Sequence, residues 1–326
     1  MAESRIVLMK IAGMFVIILA GWLGRRRGYL KEEASATLSR IVVDLAFPAL
    51  VFTQMLRSVD ASVLRQDWLL PLLPVPLVLV AWLVGLSLAP LFGARAQRNT
   101  VLFMVASPNW VFLPLPIAEA LYGAAGVRVV LLLNVGAQLA LWSIGVWILH
   151  GKISQALKNL YSNVGLWATA LGILVALAFP SARELAAPHG NPSTWGALSG
   201  GALMDAMGMV GSLTIPLSLL AIGAQLGTVP LSFSHLPAHL WGAVGMRLVA
   251  APLTSLGLGA LLARAGFRLP DPARQVMVLV VAMPVAIVCS VMAERFGGDA
   301  GLAARGVFLS TLLSLLTVPA IFFLFS

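Results

Sequence analysis

Long, uninterrupted runs of apolar residues make up most of the chain, and short polar or charged stretches separate them. A transmembrane helix needs about 20 consecutive apolar residues, which matches most of these runs. Helices are predicted rather than a barrel, because the runs lack the alternation of apolar and polar positions that membrane strands show. The pattern predicts ten transmembrane helices, over residues 6–24, 37–56, 68–92, 99–120, 127–149, 163–180, 203–227, 237–263, 273–294 and 302–325.

Composition agrees with a membrane location. Of the 326 residues, 60% are hydrophobic and 10% are charged, and the mean hydropathy is +0.97. A soluble domain carries about 25% charged residues, so the surplus apolar surface must face lipid. The net charge of +9 comes from basic residues in short clusters between apolar runs. Such clusters set membrane topology, and they do not indicate a nucleic-acid partner.

Enzyme, metal and cofactor chemistry have no recognisable motif in the chain. There is one cysteine, Cys289, and the four histidines lack the spacing of a metal site. No glycine-rich phosphate loop, His-Glu-x-x-His or Gly-x-Ser-x-Gly motif occurs. The sequence therefore predicts a protein that is not an enzyme and has no cofactor.

The first connection sets the predicted topology. Arg25, Arg26, Arg27 and Lys31 follow the first apolar run, which is the reverse of a cleavable signal peptide. The positive-inside rule then places both termini outside and residues 150–162 in the cytoplasm. Proline-containing connections are predicted at residues 181–199 and 227–237. The protein is expected in the cell (inner) membrane.

Sequence markers divide the spans into five plus five. Tyr122-Gly123 follows Pro108 by 14 residues, and Phe296-Gly297 follows Pro284 by 12 residues. An odd number of spans per half inserts the second half upside down, so residues 1–150 and 151–326 are predicted as inverted repeats. A second pair of prolines obeys the same division: Phe47-Pro48 in span 2 and Ile215-Pro216 in span 7.

The prolines at Pro108 and Pro284 predict a binding site. A proline in mid-membrane removes a backbone donor, and the freed polar groups are tolerated only where protein or water lines them. If the broken spans 4 and 9 cross, the N-terminal ends of their second halves direct partial positive charge at one point. That point would attract an anion. Two ordinary proline kinks are the alternative interpretation.

Several motifs, in order along residues 13–323, resemble the auxin efflux carrier family, the bacterial relatives of plant PIN carriers. The main ones are Ser107-Pro108-Asn109, Pro114 with Pro116, and Ala282-Met283-Pro284 with Phe296-Gly297. The supporting stretches are residues 21–30, Phe47 to Phe52, Pro216 to Leu226, and Arg247 ahead of Pro252.

The resemblance implies a ten-helix inverted-repeat fold similar to bile-acid sodium symporters and sodium/proton antiporters. It implies a scaffold of spans 1, 2, 6 and 7, a mobile transport domain of spans 3–5 and 8–10, and export of carboxylic acids by an elevator movement. It also implies a homodimer through the scaffold. Pro108 and Asn109 match the Pro-Asn of the plant motif, and Pro284 matches the proline of span 9. Ser107 stands where plant carriers have Asn, and Val285 stands where they often have Gln.

Substrate-binding residues are predicted around both breaks, including Pro108, Pro284 and Val285 at the breaks themselves. Asn109 is suited to donate to a carboxylate or to cap the second half-helix, and Ser107 has the same two interpretations. Trp110 is a candidate contact for an aromatic substrate. Asn134 and Gln138 share one face of span 5. A comparable stripe in span 10 comprises Ser310, Thr311, Ser314 and Thr317. Helix packing is the favoured role for both stripes, and hydrogen bonds to the broken backbone or a cation site are the alternatives.

Two charged residues inside spans are candidates for coupling. Asp44 would carry a proton if burial raised its pKa, or would pair with Arg40 one turn away. The alternative is that span 2 starts late and Asp44 lies near the lipid headgroups. Arg247 would neutralise an acid or attract an anion, and snorkelling to the interface is the favoured reading. Glu119 and Glu294 are predicted as solvated charges at helix ends.

These observations predict a secondary transporter that exports small organic anions, auxin-like or other carboxylates. Coupling to protons, coupling to sodium and uncoupled transport all stay open. The alternatives are a sodium-coupled symporter of organic anions on the same fold, and a membrane sensor that binds a carboxylate without moving it.

Overall fold

The computed structural model describes residues 2–93, 96–151, 164–186, 195–227 and 236–325. Within these residues the structure is helical, and its only strand-like pairing is one isolated bridge. The α-helices are α1 (Ala2–Arg26), α2 (Glu32–Ile41), α3 (Phe47–Ser58), α4 (Ala61–Asp67), α5 (Pro74–Leu88), α6 (Arg98–Ala106), α7 (Pro114–Ala140), α8 (Val146–His150), α9 (Val164–Ala178), α10 (Ser181–Ala186), α11 (Trp195–Ser212), α12 (Thr214–Leu226), α13 (Ala238–Gly245), α14 (Ala251–Arg264), α15 (Ala273–Val281), α16 (Val288–Arg295) and α17 (Ala300–Phe325).

Helix length and apolar character confirm a multi-pass membrane protein. The described residues contain six helical segments long and apolar enough to cross a bilayer. Predicted span 1 lies in α1, a continuous helix of 25 residues. Predicted spans 4, 6 and 9 are shorter or interrupted: α9 has 15 residues, and α6 and α15 have 9 residues each, half the length that a span needs. The arrangement as ten spans therefore stays a prediction. The six segments are Glu33–Ser58, Pro74–Phe92, Pro114–His150, Ser199–Ala224, Ala238–Arg264 and Ala300–Phe325.

Widened helical turns precede two of the prolines. A π-helical turn, Val42–Ala46, comes just before Pro48, and another, Met246–Ala250, comes just before Pro252. Because proline lacks an N–H and crowds the preceding turn, a wider turn accommodates it without ending the helix. The two turns contain the charged candidates Asp44 and Arg247, respectively.

The helices pack in two groups. In the first, α1 packs along α12, and α3 packs against α9 and α11. Helices α1 and α12 approach so closely that a Cβ atom on Gly223 would overlap the carbonyl of Ile18. In the second group, α5, α6, α7, α13, α15 and α17 pack on one another. Contacts of α1 and α3 with α7, and of α1 with α17, join the groups.

The connections differ in part from the predictions. Spans 4 and 5 are joined in one helix, α7, which is interrupted at Gly123, where φ is +57°. Gly297, at the matching place in the second half, has a φ of +80°. The predicted loop at residues 181–199 contains a short helix, α10. Most of the predicted connections at residues 150–162 and 227–237 lie outside the described residues.

Candidate functional site

Both predicted proline breaks occur in the structure. Helix α6 ends at Ala106 and α7 begins at Pro114, whereas α15 ends at Val281 and α16 begins at Val288. Residues 107–113 are called the first break below, and residues 282–287 the second break. Pro108 and Pro284 lie in these breaks, where neither has to donate a helical hydrogen bond.

The two breaks meet and pair through their backbones. Pro108 and Val285 form an isolated antiparallel bridge. The N–H of Asn109 donates to the carbonyl of Pro284 at 2.9 Å, and the N–H of Ala286 donates to the carbonyl of Ser107 at 2.8 Å. This pairing satisfies backbone groups that the helix breaks release inside the protein. The meeting of the two interrupted helices, which the sequence predicts, is therefore present.

Asn109 makes one hydrogen bond within the first break and has a side-chain donor without a partner. Its Oδ1 accepts from the N–H of Phe112 at 3.0 Å, which orders the approach to α7. The side chain is only 2% exposed, and its Nδ2 has no hydrogen-bond partner among the described residues. A buried amide donor without a partner is rare in proteins, and it is the kind of group that a carboxylate ligand satisfies.

Ser310 supports the second break from a neighbouring helix. Its Oγ accepts from the N–H of Val285 at 3.1 Å and donates to the carbonyl of Val307 at 3.2 Å. In the same stripe, Thr311 and Ser314 donate to carbonyls of their own helix. The packing role favoured for this stripe is therefore wrong for Ser310, because a backbone N–H released by the break needs an acceptor.

Arg247 binds the ends of both broken helices. Its Nη1 donates to the carbonyl of Val105 at 2.9 Å, and its Nη2 donates to the carbonyl of Val281 at 2.5 Å. The residue is 2% exposed, so the prediction that it snorkels to the interface is wrong. The physical reason is geometric: a planar guanidinium has several N–H donors and can reach two converging carbonyls at once.

The charge around the breaks is unbalanced. No carboxylate of the described residues forms an ion pair with Arg247, and no acidic residue lies in the first turn of α7 or α16. Helix C-termini carry about −0.5 charge each and N-termini about +0.5. Arg247 therefore offsets the C-terminal ends of α6 and α15, while the N-terminal ends of α7 and α16 keep a surplus of about +1.

A small cavity adjoins the first break and Arg247. Pro108, Trp110 and Arg247 line it together with Ser255 of α14, and its volume of about 10 Å³ has room for about one water molecule. Ser255 was not predicted as a site residue. Its spacing could have indicated it, because Ser255 follows Arg247 by about two helical turns and so lies on a similar face of the helix.

The two remaining candidates for substrate binding, Asn134 and Gln138, lie in α7, outside the two breaks. Asn134 is 2% exposed and its Nδ2 has no partner in the described part of the chain. The Oε1 of Gln138 accepts from the indole N–H of Trp142 at 3.1 Å. A contribution of either residue to substrate binding stays a prediction.

Asp44 is not buried as the proton-carrier hypothesis requires. Its side chain is exposed, because its turn packs against α2, α3, α11 and α12 and leaves one face open. No ion pair with Arg40 forms. Glu119 and Glu294 are exposed, which agrees with solvated helix-end charges. Among the described residues, no three His, Cys, Asp or Glu side chains cluster to hold a metal ion.

Comparison with known proteins identifies the family. The family described as membrane transport protein matches residues 6–165 and 163–322. An uncharacterized transporter of Methanothermobacter thermautotrophicus is 28% identical over 317 residues, which cover 95% of each chain. An uncharacterized transporter of Methanocaldococcus jannaschii is 24% identical over 313 residues, covering 94% of each chain. The chain therefore belongs to this family of membrane transport proteins, the auxin efflux carrier family that its motifs resemble.

Proposed function

We propose that the protein is a secondary transporter that exports small organic anions, and that the anion binds where the two breaks meet. The proposal rests on the charge at the four helix ends, because side chains offset the charge at only two of them. Arg247 offsets the two negative ends, whereas no acidic side chain offsets the two positive ends. An anion completes the balance and gains hydrogen bonds from a preformed, buried site.

Asn109 is the residue that we assign to first contact with the substrate. Its Nδ2 is buried without a partner, while its Oδ1 is held by the backbone of Phe112. The side chain is therefore fixed in orientation before the substrate arrives, which lowers the entropy lost on binding. Ser107, on the other side of Pro108, is buried at the same break and is a second candidate.

We propose an elevator movement between two rigid parts of a ten-span inverted repeat. The first packing group, with α1, α3, α9, α11 and α12, corresponds to the scaffold, and the second group carries both breaks as the transport domain. The contacts between the groups fall mainly on α7 and α17 of the second group, so the movement we propose would slide these two helices along the scaffold. The homodimer through the scaffold belongs to the same proposal.

Export needs no second ion in this scheme. A membrane potential that is negative inside favours outward movement of an anion by about 2.3 kcal/mol per charge per 100 mV. Sodium or proton coupling would add to that driving force, and Asp44→Asn tests the proton route directly. The energetic argument supports net export as the direction of transport.

The test is efflux of labelled lactate, pyruvate and succinate from proteoliposomes with an imposed potassium diffusion potential. We expect the protein to release at least one of these acids faster than empty liposomes do. Asn109→Ala should reduce the rate at least tenfold, because it removes the free donor, while Ser87→Ala on the exposed face of α5 should leave the rate unchanged. Equal efflux with and without the protein, for a wide panel of acids, would contradict the proposal.

A further inference from the structure

One face of α1 is left open by the described part of the chain. Val16, Leu19 and Leu23 are exposed, and they recur at the spacing of three and four residues that places side chains on one face of a helix. The opposite face carries the buried side chains Met14 and Ile18 and packs closely along α12. In a bilayer, the open face of such a span contacts lipid acyl chains.

This open apolar face leads directly into two arginines. Arg26 and Arg27 follow Leu23 by three and four residues, so they continue its face at the end of α1, and both are exposed. The N–H of Arg27 still donates to the carbonyl of Leu23 at 2.9 Å. Lys31, just before α2, is also exposed. An apolar length that ends in cations matches a phospholipid, which has acyl chains and then a phosphate at the membrane surface.

Short-range contacts hold the basic end of this face in one arrangement. The guanidinium of Arg26 lies 5.3 Å from the ring centroid of Trp22, one turn earlier in α1. The Nη1 of Arg25 donates to the carbonyl of Leu30 at 3.2 Å, and the N–H of Leu30 donates to the carbonyl of Gly24 at 3.0 Å. The connection after α1 is therefore folded back on the helix end, and ordering it before a ligand binds lowers the entropy lost on binding.

The charge at this end of α1 is unbalanced. Residues 25–33 contain four basic and two acidic residues. Among the described side chains, no carboxylate forms an ion pair with Arg26, Arg27 or Lys31. A phosphodiester supplies the missing negative charge and accepts hydrogen bonds from arginine. Phosphatidylcholine carries its own cation beside the phosphate, so a lipid whose head group has a net negative charge fits better.

A second copy of the chain fits the same face poorly. A symmetric contact along α1, between two copies in one membrane, would bring Arg26 and Arg27 of both copies to the same depth. Like charges that meet at an interface are destabilising. An anionic lipid covers the same apolar face and brings the opposite charge. Charge complementarity therefore favours the lipid over a partner subunit.

We propose that the open face of α1 binds an anionic phospholipid, with its acyl chains along Leu19 and Leu23 and its phosphate beside Arg26 and Arg27. The site requires only that this end of α1 lies at a membrane surface, on either side of the bilayer. It is independent of the proposed function, because the face is on the outside of the protein and the lipid is bound there without being transported.

The test is native mass spectrometry of the purified full-length protein in detergent, with phosphatidylglycerol and phosphatidylcholine of identical acyl chains at equal concentrations. We expect the protein to bind phosphatidylglycerol about tenfold more tightly, because each basic residue near the head group favours an anionic lipid. The double variant Arg26→Gln, Arg27→Gln should bind the two lipids about equally. The matched control is Arg264→Gln, Arg268→Gln, which removes two exposed arginines at the end of α14 and should keep the preference of the parent.

A leucine variant tests the apolar part of the face. Leu19→Ser should weaken binding of phosphatidylglycerol, whereas Leu171→Ser, on α9, should not, although both leucines are 52% exposed. Inorganic phosphate in excess should not displace the lipid, because it has no acyl chain. Melting temperatures report whether each variant folds, and the exposed positions of all six residues make loss of the fold avoidable.

Three results would overturn the lipid site. The first is equal binding of the two lipids by the parent, and the second is loss of the preference in the Arg264→Gln, Arg268→Gln control as well as in the double variant at Arg26 and Arg27. The third is displacement of the lipid by inorganic phosphate, which would indicate a site for soluble anions. The same spectra give the oligomeric state, so a dimer that forms through this face and excludes the lipid would also contradict the proposal.

Discussion

In the first break the polar side chain that holds the backbone belongs to the break itself, whereas in the second break it comes from a neighbouring helix. Asn109 accepts from the N–H of Phe112 and keeps a free amide donor. Met283, Pro284 and Val285 have no polar side chain, and Ser310 of α17 accepts from the N–H of Val285. The two breaks thus share a geometry but differ in chemistry: the first offers a group to a ligand, and the second supports the pairing.

Arg247 is common to both breaks, so its loss is expected to have the largest effect. Arg247→Met leaves the carbonyls of Val105 and Val281 without their donors. Each buried group left unsatisfied costs about 1–3 kcal/mol, so we expect the free energy of unfolding to fall by about 2–6 kcal/mol. Chemical denaturation in detergent micelles measures it.

Arg247→Lys sharpens this experiment. Lysine keeps the positive charge but lacks the planar fork that reaches two carbonyls, so an intermediate loss is expected. If Arg247→Met unfolds at the same denaturant concentration as the parent, the guanidinium does not hold the two helix ends, and the account of the charge balance fails with it.

Substitution of Ser310 tests whether this side chain stabilises the second break without taking part in substrate binding at the first break. Ser310→Ala leaves the buried N–H of Val285 without an acceptor, and it should lower the free energy of unfolding by about 1–3 kcal/mol. Ser314→Ala is the matched control, because Ser314 donates only to a carbonyl of its own helix. Substrate affinity should change little in either variant. Equal stability of the two variants would contradict a special role for Ser310.

The smallest effect on stability and transport is expected from a substitution outside both breaks, at Asp60. Asp60 caps α4 outside the spans, and hydrogen bonds from the Ser62 hydroxyl and the Val63 N–H, helped by Arg183, lower the pKa of its carboxyl. A lowered pKa in the folded state stabilises the fold above the usual value of about 3.9, and this contribution is lost as pH falls through the lowered pKa.

Asp60→Asn should therefore remove a small acid-dependent loss of stability, measured from about pH 5 downwards through the usual pKa of about 3.9. Anion transport at neutral pH should equal that of the parent. A transport defect in this variant would show that the loop helix α4 takes part in the function and that the breaks alone do not explain it.

The sequence predicted the places of the breaks better than their chemistry. The signal was the matched placement of Pro108 and Pro284 in the two halves, since a proline alone does not end a helix: Pro319 lies inside α17. The repeated glycines at Gly123 and Gly297 are also local signals, since both adopt a positive φ.

The role of Arg247 was not predictable in the same way. Its partners are the carbonyls of Val105 and Val281, which are 142 and 34 residues away along the chain. Backbone carbonyls carry no sequence signature, so hydropathy indicates only that an arginine lies inside a span. The same applies to Ser310 and Ser255, whose contacts depend on how helices pack. Asp44 is the opposite case. Its place in an apolar run suggested a buried charge, whereas the helix packing leaves its side chain exposed.

The most direct test of the central claim is anion efflux from proteoliposomes by Asn109→Asp, compared with Asn109→Ala and with the parent. Aspartate keeps the acceptor for the N–H of Phe112, so Asn109→Asp should unfold at a higher temperature than Asn109→Ala. Its negative charge should nevertheless offset the surplus at the helix ends and reduce efflux below that of Asn109→Ala. Efflux by Asn109→Asp at or above the rate of Asn109→Ala would contradict an anion site built on unbalanced positive helix ends.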